Sequence, residues 1–203
     1  TQYSLESNLG SISSTLDSNL SGTKSAINST EGSALKAEGY GQAGDSISFD
    51  YVFSTNDYTP FKDFSFYSIN NSAYKIVAIG EDVPNYGSKS GNIIYTLKES
   101  DLGTDNSFSL AVGVMDALDT AVTSTLNISN LEYITGGGEN DPVDDQPTES
   151  NLTIESYGNT YKSGDKWSMS TSSGSINQYQ LENSLKLSAG ILDTSLQNTK
   201  TAI

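Results

Sequence analysis

The chain has 203 residues, and its ten Lys face 25 acidic residues, which gives a net charge of −15 at pH 7. It contains no Arg, no His and no Cys. These absences exclude a Ser-His-Asp triad, thiol catalysis and the usual zinc, haem and iron–sulfur sites. The acidic balance opposes binding to nucleic acid and to anionic membranes, and no stretch approaches the roughly 18 to 20 apolar residues of a membrane-spanning helix. We therefore expect neither a nucleic-acid partner nor membrane insertion.

An internal repeat flanks the central part of the chain. Residues 2–27 match residues 178–203 without a gap, and twelve of the 26 positions are identical. Leu5, Leu9 and Leu16 recur at near-helical spacing, so each copy is predicted to form one amphipathic helix or two short ones. Two unrelated amphipathic helices could share the Leu spacing, but not the matched Gln-Tyr, Glu, Asp and Thr-Lys positions.

Between the two copies the hydrophobic period changes to two, which is typical of β-strands. No helical pattern separates these segments, and Gly, Asn, Asp or Pro clusters lie between them, which favours an antiparallel β-sandwich. The predicted fold is mainly β, with one or two short amphipathic helices at each end. The predicted strands are residues 46–53, 64–69, 73–79, 92–97, 107–114 and 124–131, followed by 152–157 and 166–171.

The composition predicts three parts. Residues 1–135 form a helix and a β-sandwich that we expect to be a ligand-binding module, and residues 136–150 form an acidic linker rich in Gly and Pro. Residues 151–203 add strands and the second copy of the helix, and we expect them to pack on residues 1–135.

Acidic residues cluster in two loops that follow predicted strands. Asn56, Asp57 and Asp63 lie in the first loop, and Asp116 and Asp119 lie in the second. If the two loops meet at one rim of the sandwich, they present four carboxylates and an amide, the hard oxygen ligands that calcium prefers. The alternative is that these Asp residues only cap local N–H groups, as Asp commonly does in turns.

Paired carboxylates also suggest a glycosidase. Such a cleft normally carries basic groups that position the sugar, and this chain has neither Arg nor His. We therefore expect a protein that is not an enzyme. Five aromatic residues, about half of which we expect to be core or edge-strand residues, could instead form a binding face, because Tyr offers contact area and a hydroxyl at low entropic cost. These residues are Tyr58, Phe61, Tyr67, Tyr74 and Tyr86.

The motifs of this chain resemble a secreted β-sandwich module of giant calcium-dependent RTX adhesins from Gram-negative bacteria. The resemblance is carried by the LE-x-x-L helix at Leu5, Glu6 and Leu9, by residues 43–51 (AGDSISFDY), by residues 56–64 (NDYTPFKDF) and by residues 113–116 (GVMD). It covers residues 3–134 and 165–203 and is greatest for the ligand-binding region, a peptide-binding domain associated with a split domain. The RTX nonapeptide repeats are absent from this sequence.

This resemblance implies an extracellular, cell-surface module within a larger multidomain chain. It implies that the module binds Ca²⁺ and a short peptide on a target cell, with the terminal carboxylate of the peptide near the ion. Tyr58, Asp57 and Asp116 are the predicted ligand-binding residues. Two alternatives remain open, namely a structural spacer that binds calcium only for rigidity and a calcium-dependent lectin whose partner is a glycan.

Overall fold

The computed structural model describes residues 29–136 and 152–194, which form two antiparallel β-sheets and two short helices. The first sheet contains β1 (Ser29–Tyr40), β3 (Phe64–Ile69), β4 (Ser72–Ala78), β6 (Ser107–Ala117), β8 (Thr153–Tyr157) and β11 (Ile176–Asn177). The second contains β2 (Ser46–Thr55), β5 (Ser88–Thr96), β7 (Ser124–Ile134), β9 (Asn159–Ser163) and β10 (Lys166–Ser170). The helices are α1 (Gln178–Ser184) and α2 (Ile191–Thr194), and a short 3₁₀ turn spans Glu99–Asp101.

The strand order shows how the two parts of the chain join. The first sheet runs β11-β1-β6-β3-β4, and β8 pairs with β1 on the same edge as β11. The second sheet runs β5-β2-β7-β10-β9. Strands from residues 152–177 therefore extend both sheets, because β8 and β11 pair with β1 while β10 pairs with β7.

The first sheet is buried on both faces, which explains why β1 and β6 read as continuous rather than alternating patterns. One face packs against the second sheet, through Phe49, Phe53, Leu110, Val112 and Leu126 among others. The other face forms a groove that we call the helix groove. It is built from Ala34, Phe64, Phe66, Ala73, Ala78, Ala111 and Met115, and it holds Leu181, Leu185, Leu187 and Leu192.

The fold class that the sequence predicts is confirmed, since the structure is a mainly β antiparallel sandwich with short helices. The hydrophobic pattern did not predict β1, because a strand buried on both faces lacks the alternation of apolar and polar residues. It also did not predict the short β9. The predicted N-terminal helix lies outside the described residues, as do Leu196 and nearly all of the predicted linker. Within the described ranges, no helix combines the length and apolarity needed to cross a membrane.

A substitution at Gly113 tests how tightly the residues of the helix groove are packed. A Cβ at this position would lie 2.7 Å from the Phe66 ring and 2.8 Å from the Ala34 Cβ. We expect Gly113→Ala to lower the free energy of unfolding by about 1 to 3 kcal/mol, because the crowded side chains must shift. Urea unfolding measures the change. Asn127→Ala, at an exposed position of β7, is the control and should leave the midpoint unchanged.

Candidate metal centre

Three Asp residues from different elements meet at one end of the sandwich. Asp57 follows β2, Asp63 immediately precedes β3, and Asp116 is the next-to-last residue of β6. All three have zero exposure to solvent. One ligand oxygen from each lies within 4.8 Å of the other two. The sandwich therefore brings the two predicted acidic loops together and buries their carboxylates.

Strand register explains why Asp63 and Asp116 meet. β3 and β6 are antiparallel neighbours in which Phe64 is opposite Met115, so Asp63 and Asp116 follow at the next position of the ladder. Like charges directly opposite each other on neighbouring strands are destabilising. The β2–β3 connection crosses from the second sheet to the first and brings Asp57 to the same place.

Asp63 is fully hydrogen-bonded. The Ala117 N–H donates to its Oδ1 at 3.0 Å, and the Ser124 hydroxyl donates to its Oδ2 at 2.5 Å. The Ile79 N–H donates to its backbone carbonyl at 3.1 Å. Ser124 begins β7, in the second sheet, so this carboxylate links both sheets at the rim.

Asp57 and Asp116 are only partly satisfied. The Tyr58 N–H donates to Asp57 Oδ1 at 2.7 Å, but Asp57 Oδ2 has no hydrogen-bond partner. Neither carboxylate oxygen of Asp116 makes a hydrogen bond of regular geometry, although the Asp63 carboxyl and the Thr171 hydroxyl lie close enough to influence its pKa. Buried polar atoms are almost always hydrogen-bonded, and a buried charge without a partner is costly. Three orphaned oxygens in one cluster therefore point to a missing cationic ligand.

The electrostatics of the cluster support the same conclusion. Burial raises the pKa of Asp116 to about 9, and the adjacent Asp63 carboxyl contributes to that increase. Burial also raises the pKa values of Asp57 and Asp63. Within residues 29–136 and 152–194, no Lys forms an ion pair with any of the three. The positive charge that would relieve this repulsion is not supplied by the described side chains.

The geometry suits a metal ion with oxygen ligands. Two oxygens that bind one ion at roughly 2.4 Å can be at most about 4.8 Å apart, and these three ligand atoms all lie within 4.8 Å of one another. Carboxylate oxygens are hard ligands, and the chain has no His or Cys to offer a softer set. This buried Asp triad can hold a metal ion.

The other predicted site residues lie at the edge of the cluster. Asn56 is exposed, and Asp119 is half-buried with its Oδ1 accepting from the Ala121 N–H at 3.1 Å. The charge of Asp119 still contributes to the raised pKa values of Asp57 and Asp116. Between the two Asp of the second loop, Leu118 has φ +75°, a strained value for a bulky residue. It turns the chain as β6 ends.

The predicted aromatic face divides into two groups. Tyr58 contacts Phe61 with ring centroids 5.3 Å apart, and it contacts Tyr86 at 5.9 Å. Tyr58 is 41% exposed and Tyr86 is 66% exposed. Tyr67 and Tyr74 instead stack on each other at 4.9 Å and are half-buried. Only the first group, which we call the aromatic rim, lies beside the Asp triad.

Sequence reasoning missed the hydroxyl residues that support the triad. The Thr55 hydroxyl accepts from the Asp57 N–H at 2.9 Å and lies 2.8 Å from the Ser124 hydroxyl. The Thr171 hydroxyl accepts from the Ser124 N–H at 3.0 Å. Thr30 donates from its hydroxyl to the Asp119 carbonyl at 2.7 Å. No sequence signal marks them, because Ser and Thr are abundant throughout this chain.

The raised pKa values predict an unusual pH dependence for the metal-free protein. The folded state holds a proton on Asp116 between about pH 4 and about pH 9, whereas the unfolded chain has lost it. The free energy of unfolding should therefore fall as the pH rises through this window, by up to about 1.4 kcal/mol per pH unit. Urea unfolding in chelator from pH 5 to pH 8.5 measures the slope. Asp116→Asn should flatten it, and an unchanged slope in that variant would contradict the assignment.

Comparisons with protein-family models, with curated proteins and with solved structures find no match to this chain.

Proposed function

We propose that this protein is a calcium-dependent ligand-binding module of a bacterial cell-surface adhesin. The observation that carries the calcium part is the set of three orphaned oxygens on wholly buried Asp57 and Asp116. The adhesin part is supported by the resemblance of the sequence motifs to RTX adhesin modules. Localisation at the cell surface belongs to the same proposal.

Calcium fits the triad better than other common cations. It accepts six to eight oxygen ligands in irregular geometry, including carboxylates from several loops. Magnesium keeps several waters and is bound by only one or two carboxylates, so a dry set of three Asp suits it less. Because binding must displace the proton from Asp116, the affinity for calcium should rise with pH.

The ion would act on the ligand through Asp57. The side chain of Asp57 accepts from the Tyr58 N–H at 2.7 Å, and its backbone carbonyl accepts from the Tyr86 N–H at 2.9 Å. Both exposed tyrosines of the aromatic rim are therefore held by one ion-binding residue. Because the three carboxylates are closed to solvent, we assign the peptide contact to the aromatic rim rather than to the ion itself.

A structural spacer is the second candidate. The complete burial of Asp57, Asp63 and Asp116 favours an ion that only joins the two sheets. Such a module would need calcium for stability but would bind neither peptides nor glycans. Ligand binding therefore separates the two candidates, whereas a melting curve does not.

Calcium should stabilise the protein. At a free calcium concentration of 100 times Kd, linkage adds about 2.7 kcal/mol to the free energy of unfolding. Asp116→Asn should abolish most of this gain, yet at pH 8 in chelator it should be more stable than the parent, because the folded parent must keep a proton on Asp116 at a pH where the unfolded chain has lost it. Calorimetry with calcium, magnesium or chelator measures both effects.

The matched control for this prediction is Asp165→Asn, which removes an exposed carboxylate outside the cluster. It should respond to calcium like the parent protein. A parent protein whose melting temperature is the same in calcium and in chelator would refute the metal centre.

The aromatic rim should bind the ligand. Peptide and glycan arrays, each probed in calcium and in chelator, first identify a binder. Tyr86→Ala should then weaken binding at saturating calcium by about tenfold or more without changing the melting temperature, because it removes exposed contact area. Tyr161→Ala, at a 68% exposed position of β9, should leave binding unchanged. Binding to neither array would favour the spacer.

A further inference from the structure

Polar contacts as well as apolar burial determine which segment fits the helix groove. Leu181, Leu185 and Leu192 are buried in it, with exposures of 0%, 2% and 0%. The repeat places Leu5, Leu9 and Leu16 at the corresponding positions of the N-terminal copy. Any two amphipathic helices could share this Leu spacing. Two polar features are therefore needed to decide whether the N-terminal copy also fits the groove.

The first polar feature is a buried carboxylate. Glu182 is only 2% exposed, and it accepts from the Gly190 N–H at 2.8 Å and from the Leu192 N–H at 3.1 Å. The Gln178 side chain also donates to it, at 3.0 Å. This carboxylate folds α2 back onto α1, so that Leu192 reaches the groove. The N-terminal copy retains both residues of this pair, as Glu6 and Gln2.

The second polar feature is the backbone at the end of α1. Lys186 has φ +58°, the left-handed conformation in which a helix commonly ends. The corresponding residue of the N-terminal copy is Gly10, the residue type that adopts this conformation without strain. The helix N-cap, Asn177, corresponds to Thr1, which is also a good N-cap residue.

We propose that residues 2–18 are a second segment for the helix groove, able to replace residues 178–194 of the same chain. The groove lies within reach, because Asn177 pairs with Glu31 of β1 and Leu192 folds back beside Glu182. From residue 18 to Ser29 the chain can span about 36 Å. The two copies of the repeat are then alternative helical segments that compete for the same groove.

The two segments do not fit the helix groove equally well. Leu187 is buried in the groove, and the N-terminal copy has Ser11 there. Gly190 has φ +77°, and the N-terminal copy has Ser14 there, which adds strain. The C-terminal segment is therefore the tighter occupant, in agreement with its place in the structure. The N-terminal segment takes the groove when the other is displaced.

Four versions of the 203-residue protein test this proposal by their melting temperatures. They are the parent, Leu181→Asp with Leu185→Asp, Leu5→Asp with Leu9→Asp, and the combination of all four substitutions. We expect the N-terminal pair to melt like the parent, and the C-terminal pair to melt a few degrees lower but cooperatively. The combination should melt far lower or not fold, because neither helical segment can then fill the groove. The two pairs would then be strongly non-additive.

Two results would overturn the proposal. One is that the C-terminal pair fails to fold or melts like the combination, since the N-terminal segment then gives no rescue. The other is that the C-terminal pair sediments as a dimer, which would assign the groove to a second copy. A synthetic peptide of residues 1–20 provides an independent test. It should restore a cooperative transition to the combination, in which neither segment can fill the groove, and the same peptide with Leu5→Asp and Leu9→Asp should not.

Discussion

The carboxylate of Asp63 connects the parts of this molecule on which its candidate chemistry depends. It accepts one hydrogen bond from β6 and one from Ser124 at the start of β7, so it joins the two sheets at the end where the acidic loops lie. The same contacts place it opposite Asp116 and close to Asp57. Both carboxylate oxygens of Asp63 thus accept hydrogen bonds, whereas Asp57 and Asp116 keep carboxylate oxygens without a regular hydrogen bond. Folding alone leaves that imbalance, and a divalent cation would remove it.

The two faces of the first sheet perform different tasks. Its inner face forms the main core with the second sheet, which gives the sandwich its stability. Its outer face carries small residues such as Ala34, Ala111 and Gly113, which leave space for Phe66 and for the leucines of a helical segment. Since the groove and the Asp triad share β3 and β6, an occupied groove supports the strands that position the carboxylates.

The residues that we propose for ligand recognition and for ion binding meet in the loop between β2 and β3. Asp57 contributes a carboxylate to the triad, while its neighbours Tyr58 and Phe61 belong to the aromatic rim. Tyr86, from the loop before β5, joins them through a backbone hydrogen bond to Asp57. Only one or two residues therefore separate the Asp triad from an exposed surface. This short path is the physical basis for proposing that calcium controls binding.

The amino-acid sequence by itself determined the class of fold and the chemistry available to it. The alternating apolar pattern of residues 46–53 and 124–131 requires a half-buried sheet, and the absence of His and Cys leaves carboxylates as the main metal-binding groups. The sequence also placed Asp57, Asp63 and Asp116 in two candidate loops. Only the tertiary structure decided that these three are buried together while Asn56 stays exposed, because that outcome depends on the β3–β6 register and on how the β2–β3 connection crosses between sheets. Neither long-range feature leaves a local pattern in the chain.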